Sequence, residues 1–523
     1  MKRLVALASA ALFFAGSRLS AQAPAAPAAP EGTPTRHVVV LVWDGMRPDF
    51  ITEENTPTLF HLAAGGVLFR NHHPVYLSST EVNGTAIATG AYPGRSGVVA
   101  NIEFRPEINP AKAIPTEKPE TIYANGKSWL GVKTVTEILH EAGYRTAVAG
   151  TKGVALLQDY QQARASDAAK NSVVCSIGIT VPAGAIDEIA AKQGSFPLEV
   201  TFPNDKEDLW TTRALTENLW KDGVPAYSLL WLSDPDFSQH QTAPGSAMAL
   251  HAIKDDDARL YEVLAALDAK GVRNETDILI VSDHGFSTVE HSIDIEGLLA
   301  GEGFSIAVNE FKQPPKPGDI LMVGSGGTVL FYITGHDEAV TKRLVDYLQL
   351  SDFAGVIFSR AGLEGTFSLE QGHLNSPAAP DVVVSLRWNN KKNKYSIPGM
   401  VDADGSRQAG KGTHASLSRF EMNNTLVAAG PDFRQGLEDT LPTGNTDLAP
   451  TILKILGVAQ PEPMDGRVLA EALVNGGNKP QVKNFTLMAK RDFDKIRWRQ
   501  YIDASQVGTT VYFNEGNGGV VAK

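Results

Sequence analysis

The side chains of this chain that could do metal chemistry are aspartates and histidines arriving in four separated places. They are Asp44 in Val42-Trp43-Asp44-Gly45, Asp236 and His240 in Asp236-Phe237-Ser238-Gln239-His240, Asp283-His284 in Val281-Ser282-Asp283-His284-Gly285, and His414 in Gly412-Thr413-His414. Carboxylate oxygens and imidazole nitrogens make a hard-to-borderline donor set, and divided into two threes they suit two adjacent divalent ions such as zinc. Paired ions are a tool of phosphoryl transfer, because one activates the attacking oxygen and the other stabilises the leaving one. The pattern points to a metallohydrolase.

Such residues work only if the fold gathers them. The run His37–Trp43 is continuously apolar and stops at Asp44, as a central parallel strand would. Thr56-Pro57 opens a capped helix that ends at Gly65, and a second helix over 134–142 stops at Gly143 before a strand at 146–149. Strands at Tyr227–Leu232 and 277–281 are joined by a helical pattern over 245–269. This alternation predicts an α/β sandwich with a mostly parallel central sheet. Asp44, Asp236 and Asp283 then lie at or just past strand C-terminal ends, the edge where open α/β sheets bind ligands.

From 288 to 411 the alternation breaks, predicting an inserted α+β cap between Asp283-His284 and His414. Strands at 329–333 and 355–359 flank a helix over 336–350, and the stretches 381–386 and 395–398 flank a turn at 389–393 as a hairpin. The main fold resumes with a helix over 447–456, so the catalytic domain is assigned to 37–478. Residues 479–523 carry no motif and form a segment of unknown role.

Composition bounds the rest. The chain has 523 residues, 43% of them hydrophobic, enough for a large core. A net charge of −12 without a basic stripe argues against a nucleic-acid duplex as partner. Lys391-Lys392-Asn393-Lys394 reads as a solvated hairpin tip. Lys2-Arg3, the apolar run 4–16 and the small residues that follow have the order of a secretory signal peptide, assigned to 1–21, which implies a periplasmic or extracellular protein. The run is too short for a transmembrane segment. Residues 22–36, rich in Ala and Pro, read as a tether. Cys175 is the single cysteine, which forbids an intrachain disulfide and reads as a buried small apolar residue. Nothing in the sequence fixes an oligomeric state.

The nucleophile is sought at a helix start, where free N–H groups and the helix dipole favour negative charge. Tyr76-Leu77-Ser78-Ser79-Thr80-Glu81-Val82-Asn83-Gly84 runs into a short helix ended by Gly90. Ser79 or Thr80 there is either an N-cap or a metal-bound hydroxyl able to attack phosphorus. Asn101 offers an amide donor for a phosphoryl oxygen.

Taken with Trp43-Asp44-Gly45-Met46-Arg47-Pro48-Asp49, Tyr92-Pro93-Gly94-Arg95-Ser96-Gly97, Asp234-Pro235-Asp236 and Asp447-Leu448-Ala449-Pro450-Thr451, these segments resemble the alkaline phosphatase superfamily. Within it the chain is similar to the branch of nucleotide pyrophosphatase/phosphodiesterases and related secreted alkaline phosphatases. The resemblance implies two zinc ions, one on Asp236, His240 and His414 and the other on Asp44, Asp283 and His284. It makes Thr80 both a metal ligand and the nucleophile, and Asn101 the phosphoryl-oxygen donor.

Two positions depart from the pattern. Diesterases of the branch follow the nucleophile with Phe-Pro-Asn-His, where the aromatic residue helps form a nucleobase slot; here the positions are Glu81-Val82-Asn83-Gly84. The secreted monoesterases carry a Lys-x-Arg pair that clasps a dianionic phosphate; here Lys152 fits the lysine and Val154 stands at the arginine. A single cation suits a substrate with less charge. The expected function is a secreted two-zinc hydrolase of phosphodiester or nucleotide pyrophosphate bonds acting through phosphothreonine, on a small phosphate ester or nucleotide. The alternatives are a phosphomonoesterase and a non-catalytic secreted binding protein of the same fold.

Overall fold

The computed structural model describes residues 36–523 apart from 124–128 and 478, so the expected signal peptide and nearly all of the expected tether lie outside the described residues. The centre is a nine-stranded sheet. Its middle is parallel and runs Thr276–Val281, His37–Trp43, Tyr227–Leu232, Thr146–Gly150, Val173–Ser176. Leu426–Ala429 adds antiparallel on one side and Ile179–Val181 on the other.

The continuous apolar run at His37–Trp43 has a simple cause. Val38, Val40 and Val42 pack against the helices Thr80–Thr89, Val135–Glu141 and Leu448–Ile455. Val39, Leu41 and Trp43 pack on the opposite face against Pro57–Gly65 and Ala247–Ala269. A strand covered on both faces has no polar side to alternate with. Registers are aligned at the ends: Val42 lies opposite Val281 and Trp231, and Gly150 also lies opposite Trp231. The segments that leave these strands therefore emerge side by side.

The stretch 288–411 has a different internal layout from the one expected. A six-stranded sheet holds Thr328–Ile333, Ala354–Ser359 and Val382–Leu386, with the helix Glu338–Leu350 between the first two. The hairpin is not the predicted one. Residues 389–393 are not its turn, because Trp388–Lys392 is itself a strand paired with Pro398–Asp404. Asn393 sits at the corner, donating to Pro244 O and Thr288 Oγ1 at 2.9 Å each. This hairpin joins Ser287–Ile293 and Gly412–Thr413 in a four-stranded sheet, which leads the chain back to His414.

The unread C-terminal segment is a three-stranded antiparallel sheet, Val482–Asp492, Ile496–Val507 and Thr510–Ala522. It is tied to both parts of the molecule. Trp388 Nε1 donates to Gly516 O, and Tyr512 Oη donates to Asp447 Oδ2 at 2.8 Å.

Candidate metal centre

Four strand ends and one returning loop build the site. Asp44 follows His37–Trp43, and Asp283-His284 follow Thr276–Val281. Asp236 opens the helix Asp236–Gln241 beyond Tyr227–Leu232, which puts His240 one turn further on the same face. Lys152 follows Thr146–Gly150, and His414 follows Gly412–Thr413. Gly45 is required next to Asp44, because its φ is +70° and a Cβ would come within 2.8 Å of the Phe286 ring. Its free N–H donates to Asp283 Oδ1 at 3.0 Å.

Each aspartate has one oxygen occupied and one vacant. Asp44 Oδ2 accepts from Trp231 Nε1 at 2.9 Å and faces Lys152 Nζ at 3.0 Å. Asp236 Oδ2 accepts from Lys152 Nζ at 2.8 Å. Asp283 Oδ1 accepts from the Gly45 and His284 N–H groups at 3.0 Å. Asp44 Oδ1, Asp236 Oδ1 and Asp283 Oδ2 are buried and have no hydrogen-bond partner among the described residues.

The histidines show the complementary division. Nδ1 of His240, His284 and His414 lies 2.9–3.0 Å from the backbone oxygens of Gly412, Gly285 and Ser78, so each Nδ1 donates and each Nε2 keeps a free lone pair. Burial pulls all three imidazoles below their ordinary pKa, which keeps them neutral as metal ligands require.

The free atoms face one another. Asp236 Oδ1 lies 3.3 Å from His240 Nε2 and 3.5 Å from His414 Nε2. His284 Nε2 lies 3.2 Å from Asp283 Oδ2 and 3.7 Å from Asp44 Oδ1. Donors about 2.0–2.1 Å from one tetrahedral ion stand roughly 3.3 Å apart, so these separations suit a pair of zinc-type sites. The His284 and His414 rings stack at 3.8 Å, which makes the two sets contiguous. His284 consequently also groups with Asp236 and His414 within 4.8 Å.

Electrostatics demand a cation. Burial and its neighbour Asp283 raise Asp44 well above the carboxylate range, and burial lifts Asp283 to about 7. Asp236 is the exception. Burial would raise it too, but the Lys152 ammonium and the His240 ring hold it well below the usual range. A divalent ion would supply the positive charge that lets Asp44 and Asp283 ionise in this buried cavity.

Thr80 stands at the rim. Ser79 takes the N-cap position of Thr80–Thr89 without a capping bond, and Thr80 Oγ1 lies 3.3 Å from His284 Nε2. The whole of that helix is buried, and a Cβ at Gly84 would collide with Val154. Asn101 Oδ1 accepts from Glu81 N at 3.2 Å, which fixes the amide beside the helix start.

The expected charge pair is rearranged. Val154 is fully buried beneath the helix and does not face the cleft. Arg387 donates to Ala354 O and Ser351 O, and Lys391 pairs with Glu290, so neither reaches the site. The cap does bring Arg407, whose Nη1 is 3.3 Å from His240 Nδ1, on the ring edge facing Gly412. The Glu81 carboxyl is buried, and burial and Glu117 raise its pKa well above the ordinary value. Sequence reasoning missed Trp231, Arg407 and the pair Asn83–Asn445, whose side chains bond at 3.0 Å while Asn445 also donates to Asp283 O at 2.7 Å. Their types carry no chemical signal, and only the strand register places Trp231 near Asp44.

Residues 38–414 match the family of type I phosphodiesterases/nucleotide pyrophosphatases. The chain belongs to this family. Its members with similar sequences include human ectonucleotide pyrophosphatase/phosphodiesterase family member 1, 23% identical over 50% of this chain and 24% of that protein. The venom phosphodiesterase of Naja atra is 20% identical over 79% of this chain and 43% of its own length. The chain thus spans less than half of either relative. Among solved structures, human ectonucleotide pyrophosphatase/phosphodiesterase 5 shares the fold with a TM-score of 0.59 at 16% identity, covering 84% of this chain and 100% of that one. The murine counterpart, an inactive variant in complex with AMP, gives 0.58 at 16% identity, again over 84% and 100% of the two chains. No helix among the described residues is long and apolar enough to cross a membrane.

Proposed function

We propose that this family member is a secreted two-zinc hydrolase that cleaves phosphodiester or nucleotide pyrophosphate bonds through a covalent phospho-Thr80. One observation carries the proposal: three orphaned carboxylate oxygens and three histidine Nε2 atoms converge at a hydroxyl at a helix start, with one of those Nε2 atoms 3.3 Å from that hydroxyl. Asp236, His240 and His414 would hold one ion, and Asp44, Asp283, His284 and Thr80 the other. When bound, the ions supply Lewis acidity that ionises the hydroxyl and offsets charge on the leaving oxygen.

This chain's own residues do the rest. Thr80 Oγ attacks phosphorus, a P–O bond forms, and the bond to the leaving alkoxide or phosphate breaks on the opposite side. The Asn101 amide and the helix start steady a phosphoryl oxygen. Water then attacks phosphorus, and Thr80 regains its proton as the phosphoryl product departs. Lys152 is the single cation of the expected pair and its Nζ is already matched by Asp236 and Asp44, which leaves little positive charge for a dianionic ester and favours a singly charged one. Glu81 stands where diesterases of the branch carry the aromatic residue of a nucleobase slot, which weakens the case for nucleotide selectivity.

The test is turnover of bis-p-nitrophenyl phosphate against p-nitrophenyl phosphate by zinc-loaded enzyme and by Thr80→Ala. The diester should be the better substrate, and the variant should be inactive on both. Strong preference for the monoester would favour the phosphatase alternative, and no turnover of either would favour the binding-protein one.

A further inference from the structure

Lys152 makes an unusual set of contacts. Its Nζ is 2.8 Å from Asp236 Oδ2 and 3.0 Å from Asp44 Oδ2, so one ammonium bridges one carboxylate from each ligand set. These are the outer oxygens; the Oδ1 atoms of the same two residues are the orphans that face the histidines. The side chain is mostly enclosed, with Nζ 5.1 Å from the Phe237 ring centroid. Its backbone is pinned as well: Lys152 O accepts from Ser176 Oγ at 3.0 Å, and the Thr151 hydroxyl bonds Asp208 Oδ1 at 2.7 Å. Gly153 leaves room for the Glu117 carboxyl, which a Cβ would meet at 2.7 Å.

By contrast, Trp231 Nε1 reaches Asp44 Oδ2 and serves one set alone. We infer that Lys152 is a positioning residue that orients the ligand carboxylates of both metal sites at once, rather than mainly a clasp for substrate phosphate. Its ammonium donates a hydrogen bond to Asp236 Oδ2 and forms an ion pair with Asp44 Oδ2, and a partner on a ligand's outer oxygen fixes the direction of the inner one. The inference rests on the two-metal reading above.

The experiment is zinc binding to the full chain, read by equilibrium competition with a chromophoric chelator, with inhibition by inorganic phosphate measured alongside. Lys152→Met is expected to weaken both zinc equivalents by about 10–100-fold, the usual effect of losing a ligand's outer partner, with the phosphate inhibition constant of the zinc-saturated enzyme little changed. Trp231→Phe should weaken one equivalent. If Lys152→Met does not fold without metal, Lys152→Arg keeps the charge but cannot place one nitrogen between both oxygens, and both equivalents must still weaken. The inference is overturned if Lys152→Met weakens one equivalent or neither, tightens binding, or acts only by raising the phosphate inhibition constant. Fewer than two equivalents in the unmodified protein would instead end the two-metal reading itself, and this inference with it.

Discussion

Thr80 Oγ1 and His284 Nε2 lie 3.3 Å apart, although 204 positions of sequence separate them. The pair is a buried hydrogen bond, and 3.3 Å is also the spacing that two donors on one tetrahedral ion would have. Thr80→Ala should lower diester turnover by at least about a thousandfold while leaving two zinc ions and the thermal midpoint nearly unchanged. Ser79→Ala should stay active, because Ser79 Oγ has no hydrogen-bond partner among the described residues. Steady-state rates with elemental analysis check both, and the reverse pattern would move the nucleophile to Ser79.

The metal content is the next consequence. Two equivalents of zinc are expected per chain. His240→Ala should weaken the ion of the Asp236 set and Asp283→Ala the ion of the Asp44 set, since each change removes one of the Asp and His side chains that would hold that ion. Active, unchelated protein with one equivalent or none would contradict the mechanism.

Val154 tests the charge argument in an unexpected way. From sequence, an arginine at 154 would restore the second cation of a monoesterase. The side chain is instead fully buried against the nucleophile helix. Val154→Arg should therefore lower stability, by about 3 kcal/mol or more for a buried unpaired charge, without a shift toward monoesters. Thermal unfolding and the ratio of mono- to diester turnover decide. A folded variant with a raised monoester ratio would mean that residue 154 reaches the cleft.

His72 gives the protein an acid limit. Its Nδ1 lies 2.9 Å from Thr443 Oγ1 and its Nε2 2.9 Å from Asn445 Oδ1, and burial lowers its pKa from 6.5 to about 3. The folded state binds this proton less readily than the unfolded chain, so the contribution to stability is full above pH 6.5 and lost as pH falls toward 3. The slope in that window is about 1.4 kcal/mol per pH unit. Thermal midpoints at pH 6.5, 5.5 and 4.5 should fall more steeply for the unmodified chain than for His72→Gln, and equal slopes would show that the folded ring takes up its proton as readily as the unfolded one.

The sheet was legible because its central strands are buried on both faces and read as unbroken apolar runs, as at His37–Trp43. The helix Val135–Glu141 was legible from its stop at Gly143, and the structure adds a capping box of Thr134 and Glu137 at its start. The C-terminal sheet was not, because Gln500 and Ser505 occupy buried positions of Ile496–Val507 and break the apolar alternation. The hairpin was misplaced because Asn389 to Asn393 has turn-type residues, yet Trp388 buries its ring and carries the strand onward. At the site, the metal-type residues were legible from their places at strand ends. The outer partners were not, since Trp231 and Asn445 act through position, and Arg407 arrives from a loop whose path the sequence does not disclose.

The covalent step tests the account most directly. Zinc-loaded enzyme is mixed with bis-p-nitrophenyl phosphate, quenched in acid within the first turnover, digested, and read by mass spectrometry. The account predicts one p-nitrophenylphosphoryl group on the peptide holding Thr80, located on Thr80 itself, with one p-nitrophenolate released per group. Turnover without any labelled peptide, or a label on Ser79, would contradict it.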